Sequence, residues 1–149
     1  MHVGARHLSS IPTGNLRVGR EAFAELWLAA EAQAEQSASL GQTDWVAGGV
    51  AMTCRWLAGA SVEFNGRRRL PLSPIMHGSR PAFEELIEAE YLAVVSMEAQ
   101  PLEQRLYGDR PGYVEAVAAT LRWAWRRSGP VPDLRPANTA PPVPTAVRP

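Results

Sequence analysis

Residues 43–60 read TDWVAGGVAMTCRWLAGA, and this stretch decides the fold. Thr43 and Asp44 are both of a type that caps helix N-termini, so we expect a helix to begin there and to run to about Ala60. Its helical wheel is apolar on nearly every side, which is typical of a helix surrounded by other helices. Its glycines lower helix propensity, so we expect them to let a neighbouring helix approach closely. The stretch therefore predicts the central helix of a bundle.

Three further helices are predicted around this one. Residues 18–39 place Phe23 and Trp27 on one side and a row of glutamates on the other, as in an amphipathic surface helix. Residues 81–98 begin with proline and early glutamates, and residues 111–127 end in arginines before a Ser-Gly-Pro stop. The glutamate row of the first helix is Glu21, Glu25, Glu31 and Glu35. The sequence therefore predicts an all-α fold, a single four-helix domain.

A long loop rich in arginine and proline, residues 61–80, separates the second and third predicted helices. An Asn65-Gly66 turn dipeptide and two prolines interrupt regular structure there. The same dipeptide permits a small hairpin, with Ser61–Phe64 as one arm and Arg69–Leu72 as the other. Loops of this length are more often functional than short ones. Its arginines are Arg67, Arg68 and Arg69.

The chain divides by composition into three parts. Residues 1–15 have no sustained period and are predicted to form an irregular N-terminal arm. Residues 16–128 form the helical domain. Residues 129–149 consist largely of proline, valine, alanine and threonine, which predicts a disordered tail because such a composition buries little apolar surface.

Overall composition excludes several classes of protein. All fifteen basic residues are arginine, and fifteen acidic residues balance them, so the chain is not a polycationic nucleic-acid coat. No apolar run is long enough to span a bilayer, and the first residues lack the apolar core of an export signal. A single cysteine excludes a disulfide framework. We therefore expect a cytoplasmic protein with no membrane partner.

Two charged residues stand where apolar side chains are expected. Arg55 is the only charge between Asp44 and Glu63, and Glu90 lies in the middle of the apolar arc of the third predicted helix. A buried charge is costly unless it is paired, so we expect Arg55 and Glu90 to pair with each other. Such a pair would either fix the register of the helices or line a pocket for an anionic or amphipathic ligand.

His77 is the one histidine outside the first seven residues, and it lies in the long loop. That position makes it a candidate binding residue beside the charged pair, with Ser73 or Ser79 as the nearest hydroxyl groups. No Glu-x-x-His pattern occurs and Cys54 has no partner cysteine, so we expect no metal site. No glycine-rich phosphate loop occurs either. We predict no catalytic residues and no cofactor.

Two arginine clusters support nucleic-acid binding. One is the loop cluster at 67–69, and the other is the end of the last helix, residues 122–127, where Trp123 and Trp125 alternate with arginines such as Arg126. Phosphate contacts from such clusters would be sensitive to salt. The competing interpretation is that the loop arginines are merely solvated and that the terminal ones stabilise the end of a helix.

Tryptophan content supports a protein-interaction role. The chain has five tryptophans, and Trp45, Trp56 and Trp123 project to the margins of their apolar arcs. Tryptophan and arginine are the residues that most often anchor interfaces. We therefore favour a non-enzymatic protein-interaction or regulatory module that acts through the Trp/Arg surface and the loop from Arg67 to Arg80. It would bind a protein partner or a second copy of itself. Nucleic-acid binding is the alternative, and a ligand pocket or catalytic site around Arg55, Glu90 and His77 is the third hypothesis.

Overall fold

The structure, a computed structural model, describes residues 3–135. A short helix, α1 (Ala5–Ser9), precedes four longer ones: α2 (Arg20–Ser39), α3 (Trp45–Ala58), α4 (Glu84–Glu98) and α5 (Tyr113–Leu121). A π-helical turn, Arg122–Arg126, continues α5. The predicted all-α, four-helix domain is confirmed. Within residues 3–135, no helix combines the length and the apolar character needed to cross a bilayer.

The predicted central helix is α3, which packs against both α2 and α5, while α4 packs against α5. Asp44 caps it, because its carboxylate accepts the backbone N–H of Ala47 at 2.9 Å. Gly59, with a φ of +65°, ends it in a left-handed conformation that favours glycine. The largest fully buried side chains of the core are Trp27, Trp56, Tyr113 and Phe23.

Close approach of two helices occurs at one of the two central glycines. A Cβ atom on Gly49 would lie 3.1 Å from the Cβ of Ala116 and 3.1 Å from the carbonyl oxygen of Tyr113, both on α5. A Cβ atom on Gly48 would meet nothing within 4 Å. Of the two glycines, Gly49 is therefore the one that lets the neighbouring helix approach closely.

The hairpin alternative for the long loop is present in a shorter form. Strand β1 (Val62–Phe64) pairs antiparallel with β2 (Arg67–Arg69), and Phe64 is opposite Arg67. Asn65 and Gly66 have φ angles of +52° and +75°, which is the geometry of a two-residue type I′ turn. Because so tight a turn sets the register directly, the second arm begins at Arg67 and not at Arg69 as predicted.

The N-terminal arm is attached to the domain by a buried amide. The side-chain nitrogen of Asn15 donates to the carbonyl oxygens of Leu57 and Ala82, at 2.9 and 3.0 Å. Ile11 is also buried. The arm that the sequence predicts to be irregular contains α1 and a 3₁₀ turn at Thr13–Asn15.

The described part of the predicted tail, residues 129–135, runs along the domain without regular structure. Pro132 is buried, and the carbonyl oxygen of Leu134 accepts a hydrogen bond from the Gln33 side chain at 2.5 Å. The rest of the predicted disordered tail, residues 136–149, lies outside the described residues.

Candidate functional site

The loop Ser73–Gly78 follows the hairpin and closes on itself. The backbone N–H of Ser73 donates to the carbonyl of Gly78, and the N–H of His77 donates to the carbonyl of Ser73, each at 3.0 Å. The hydroxyl oxygen of Ser73 accepts the N–H of Gly78 at 2.8 Å. His77 has a φ of +54°, a left-handed conformation that non-glycine residues rarely adopt. The loop is therefore a compact turn with a defined backbone.

The carboxylate of Glu90 holds this loop from inside the domain. Glu90 is 0% exposed, and its Oε1 accepts the backbone N–H of Ile75 at 2.5 Å and that of Met76 at 2.9 Å. Its Oε2 is buried without a hydrogen-bond partner among the described residues. Burial of Glu90 agrees with its place in the middle of an apolar arc, but backbone amides, not Arg55, are its partners.

Two tyrosines hold the loop through its carbonyl groups. The hydroxyl of Tyr107 donates to the carbonyl of Ile75 at 2.6 Å, and that of Tyr113 donates to the carbonyl of Pro74 at 2.5 Å. Burial raises the pKa of both tyrosines, and the nearby cationic Arg110 opposes this rise only in part. Both hydroxyls therefore remain protonated donors at neutral pH.

The side chains that this loop presents outward are Met76 and His77. Met76 is 53% exposed. His77 is exposed as well, and its Nε2 lies 3.3 Å from the hydroxyl of Tyr107. The hydroxyl of Ser73 is buried and accepts a backbone N–H, so it is not arranged as a nucleophile activated by His77.

Beneath Met76 lies a cavity of about 90 Å³, lined by Trp56, Ser73, Met76, Gly78, Arg80, Leu86 and Glu90. Most of its wall is apolar. Its size is suited to one side chain or a few water molecules and is well below that of a typical small-molecule site.

The predicted pair of Arg55 and Glu90 is wrong. Arg55 pairs with Glu31 on α2, through Nε to Oε2 at 2.8 Å and through a second bond from its terminal nitrogen. The indole N–H of Trp27 donates to the same Oε2 at 3.1 Å. Glu31 was predicted on a solvated face, but it is only 6% exposed because α3 packs over that side of α2. Arg55 is therefore not part of a site with Glu90 and His77. Glu90 bonds the loop Ser73–Gly78, to which His77 belongs.

Of the two arginine clusters, the one at residues 67–69 is exposed along β2. In the other, at residues 122–127, Arg122 and Arg126 form ion pairs with glutamates. Arg122 pairs with Glu98, which raises the Arg122 pKa. Arg126 pairs with Glu88 at 2.6 Å. Trp123 is half-buried against the core. The side chains of Glu84, Glu85 and Glu88 share an open groove of about 710 Å³ with Arg17, Trp125, Arg126 and Arg127. This end of the domain is therefore not a basic surface.

The tryptophans are mostly interior. Trp56 is 1% exposed, so its predicted place at the margin of an arc is wrong, and its indole N–H lies 3.4 Å from the carbonyl oxygen of Arg80. Trp45 is half-buried and lies under the guanidinium of Arg110 at 4.9 Å. The exposed large apolar side chains near the loop are Leu70, Leu72, Met76 and Phe83 instead.

Sequence reasoning missed Tyr107, Arg110 and Tyr113 as supports of this site. Tyr113 falls within the predicted helix of residues 111–127, and Tyr107 and Arg110 lie in the segment just before that helix. The available signal was that a tyrosine on an apolar face needs a partner for its hydroxyl.

Comparison of the chain with protein-family models, curated proteins and solved structures finds no match.

Proposed function

We propose that the chain is a non-enzymatic helical protein-interaction or regulatory module whose contact surface is centred on the loop Ser73–Gly78. The observation that carries the proposal is the clamp beneath the loop. Glu90 holds two of its amides, and Tyr107 and Tyr113 hold two of its carbonyls, while Met76 stays 53% exposed. A surface fixed before binding loses less conformational entropy when a partner binds.

Apolar side chains flank the loop along the chain on both sides. Together with Met76 and His77 they make up what we call the loop surface: Leu70, Leu72, Met76, His77 and Phe83. The four apolar members are between 43% and 53% exposed. Methionine adapts its shape to different partners, and exposed apolar side chains gathered in one region are typical of interaction sites.

We further propose that the protein is cytoplasmic and that its partner is another protein or a second copy of the chain. The balanced charge of the chain supports this choice over a polyanionic partner, because apolar contacts and not net charge would provide the affinity.

The test compares two loop-surface variants, Leu72→Glu and Met76→Glu, with a control, Leu102→Glu. Leu102 is 65% exposed and lies outside the loop surface. Sedimentation of the purified chain measures self-association, and co-purification with the tagged chain in its source organism identifies another partner. We expect a complex that survives high salt, that both loop variants lose and that the control retains. All three variants should melt at the wild-type temperature.

Three results would count against the proposal. The first is a monomer that recovers no specific partner. The second is a complex that the loop variants retain. The third is a complex that dissolves at modest salt, since this would indicate a charge-based partner.

Nucleic-acid binding is the second candidate function. The observation that favours it is the exposure of three consecutive arginines on β2. Arg67, Arg68 and Arg69 are all exposed on this strand. Side chains alternate between the two sides of a strand, so Arg68 points away from the other two and the cluster does not form one phosphate-binding face. Retention on heparin that falls sharply with salt, and that Arg67→Ala with Arg68→Ala abolishes, would favour this candidate over the first.

A further inference from the structure

A second cavity, of about 580 Å³, lies on the domain around the start of α5, and it involves none of the loop surface. Its apolar wall includes Val46 of α3 and Val114, Ala116 and Ala119 of α5. The chain segment that follows the last helix closes another side, through Pro132. Cavities of this volume with mostly apolar walls are typical of sites for small molecules.

The arginine side chains of this cavity differ in whether they already have ion-pair or hydrogen-bond partners. Arg105 is occupied, because it pairs with Glu115 and also donates to the carbonyl oxygens of Glu98 and Gln100, at 2.7 and 3.1 Å. Arg135 pairs with Asp133 at 2.7 Å. The guanidinium of Arg110 has no ion pair or hydrogen bond within residues 3–135.

Arg110 is held in place by aromatic rings instead. Its guanidinium carbon lies 4.9 Å from the ring centroid of Trp45, 4.9 Å from that of Tyr107 and 5.4 Å from that of Tyr113. Contact with ring faces fixes the position of a guanidinium but satisfies none of its N–H donors. Arg110 is therefore a positioned cation with its hydrogen-bonding capacity unused.

The sign and number of charges indicate what could bind. Among the described residues, three arginines and two acidic side chains line the cavity, which leaves one positive charge in excess. A guanidinium presents parallel N–H donors that match the two oxygens of a carboxylate. A dianion would meet repulsion from Glu115 and Asp133, and the described lining offers no second free cation to offset it. The apolar wall, in turn, suits an aliphatic chain more than a sugar or a nucleotide.

The geometry points to a binding site for an aliphatic monocarboxylate, with its carboxylate on Arg110 and its hydrocarbon chain against Val46, Val114 and Ala119. This inference does not rest on the proposed loop surface, which could fail without affecting it.

The test uses sodium octanoate as the probe, with binding to the full chain measured by calorimetry. Acetate lacks the hydrocarbon chain, and octylammonium carries the opposite charge. Two variants at Arg110 separate its contributions: Arg110→Gln removes the charge, and Arg110→Lys keeps the charge but loses the paired donors. Ala119→Phe fills the apolar wall. Arg67→Gln, at an exposed arginine on β2, is the matched control.

We expect saturable one-to-one binding of octanoate, far weaker binding of acetate and none of octylammonium. Losing a charge-assisted hydrogen bond should raise Kd at least about tenfold in Arg110→Gln, with a smaller rise in Arg110→Lys. Ala119→Phe should also weaken octanoate binding, and Arg67→Gln should not.

Three outcomes would overturn the inference: no saturable binding of octanoate by the wild-type chain, equal binding of octylammonium, or unchanged octanoate affinity in Arg110→Gln. Melting curves identify any variant that fails to fold. Arg110→Lys preserves the cation over the rings, so the test stands even if Arg110→Gln is unstable.

Discussion

Glu90 on α4 accepts the backbone N–H of Ile75 at 2.5 Å, although the two residues are fifteen positions apart in the chain. The same oxygen accepts the N–H of Met76. A side chain on a helix thus accepts backbone N–H groups of this loop, as the carbonyl groups of a neighbouring strand would in a sheet. This side chain is fully buried.

We expect Glu90→Ala to lower the free energy of unfolding by about 3 kcal/mol, because it leaves a buried amide without an acceptor and removes both hydrogen bonds to the Glu90 side chain. Glu90→Gln keeps an amide oxygen as acceptor and should cost less. Urea denaturation measures both. Hydrogen exchange at Ile75 and Met76 should speed up in Glu90→Ala, and unchanged exchange there would show that Glu90 does not hold the loop.

The ion pair of Arg55 with Glu31 should stabilise the folded domain. Arg55→Ala would leave Glu31, which is 6% exposed, with only the indole N–H of Trp27. Loss of one partner from a buried pair costs about 3–5 kcal/mol, and the partial exposure of Arg55 should reduce this to about 2–3 kcal/mol. The control is Arg126→Ala, because its pair with Glu88 is well exposed and should contribute under about 1 kcal/mol.

A double-mutant cycle distinguishes the pair from other effects of removing Arg55. The variant carrying both Glu31→Gln and Arg55→Gln should be more stable than the sum of the two single changes predicts, by about 1–2 kcal/mol. Additive losses would mean that the two side chains contribute separately.

Adjacent glycines in α3 offer a matched comparison. Gly48→Ala adds a methyl group in open space, so it should stabilise the helix by about 0.5–1 kcal/mol. Gly49→Ala places the methyl group 3.1 Å from both Ala116 Cβ and the Tyr113 carbonyl, and forcing α5 away should cost about 1–3 kcal/mol. Thermal denaturation of the two variants should show shifts of opposite sign. Equal shifts would argue against the close packing of α3 on α5.

The chain contains no lysine, so tyrosine and cysteine account for most side-chain titration at alkaline pH. Burial raises the pKa values of Cys54, Tyr107 and Tyr113 above those of the unfolded chain. The unfolded state therefore loses these protons first, and the free energy of unfolding should fall as the pH rises above about 9.

Chemical denaturation at a series of pH values between about 8 and 11 tests this dependence. Tyr113→Phe removes one titrating group and should flatten the decline, even if its stability at neutral pH is lower. A stability that stays constant over this range in the wild-type chain would contradict the prediction.

The sequence was sufficient for the four longer helices because their signals are local, whereas α1 was not predicted. The Asp44 cap, the apolar wheel of α3 and the stop after Arg127 each depend on residues within a few turns. The pairing of charges was not predictable in the same way. Glu31 has the same helical spacing as exposed glutamates. Only the packing of α3 against α2 shows that Arg55 pairs with Glu31 and that Glu90 instead bonds the Ser73–Gly78 loop.

The long loop, residues 61–80, was also only partly predictable from the sequence. Asn65-Gly66 predicts a turn from local chemistry, but the register depends on the left-handed φ angles that both residues adopt. The clamp formed by Glu90, Tyr107 and Tyr113 joins segments far apart in the chain, so no spacing in the sequence reveals it.

Tyr107 and Tyr113, both buried, lie between the Ser73–Gly78 loop and Arg110. Their hydroxyls hold the carbonyls of the Ser73–Gly78 loop, and their ring faces lie beside the Arg110 guanidinium. An anion that immobilised Arg110 would therefore stiffen the same rings that support the loop. Thermodynamic linkage is reciprocal, so any factor by which such an anion strengthened a contact at the loop would equally strengthen the grip of the cavity on the anion.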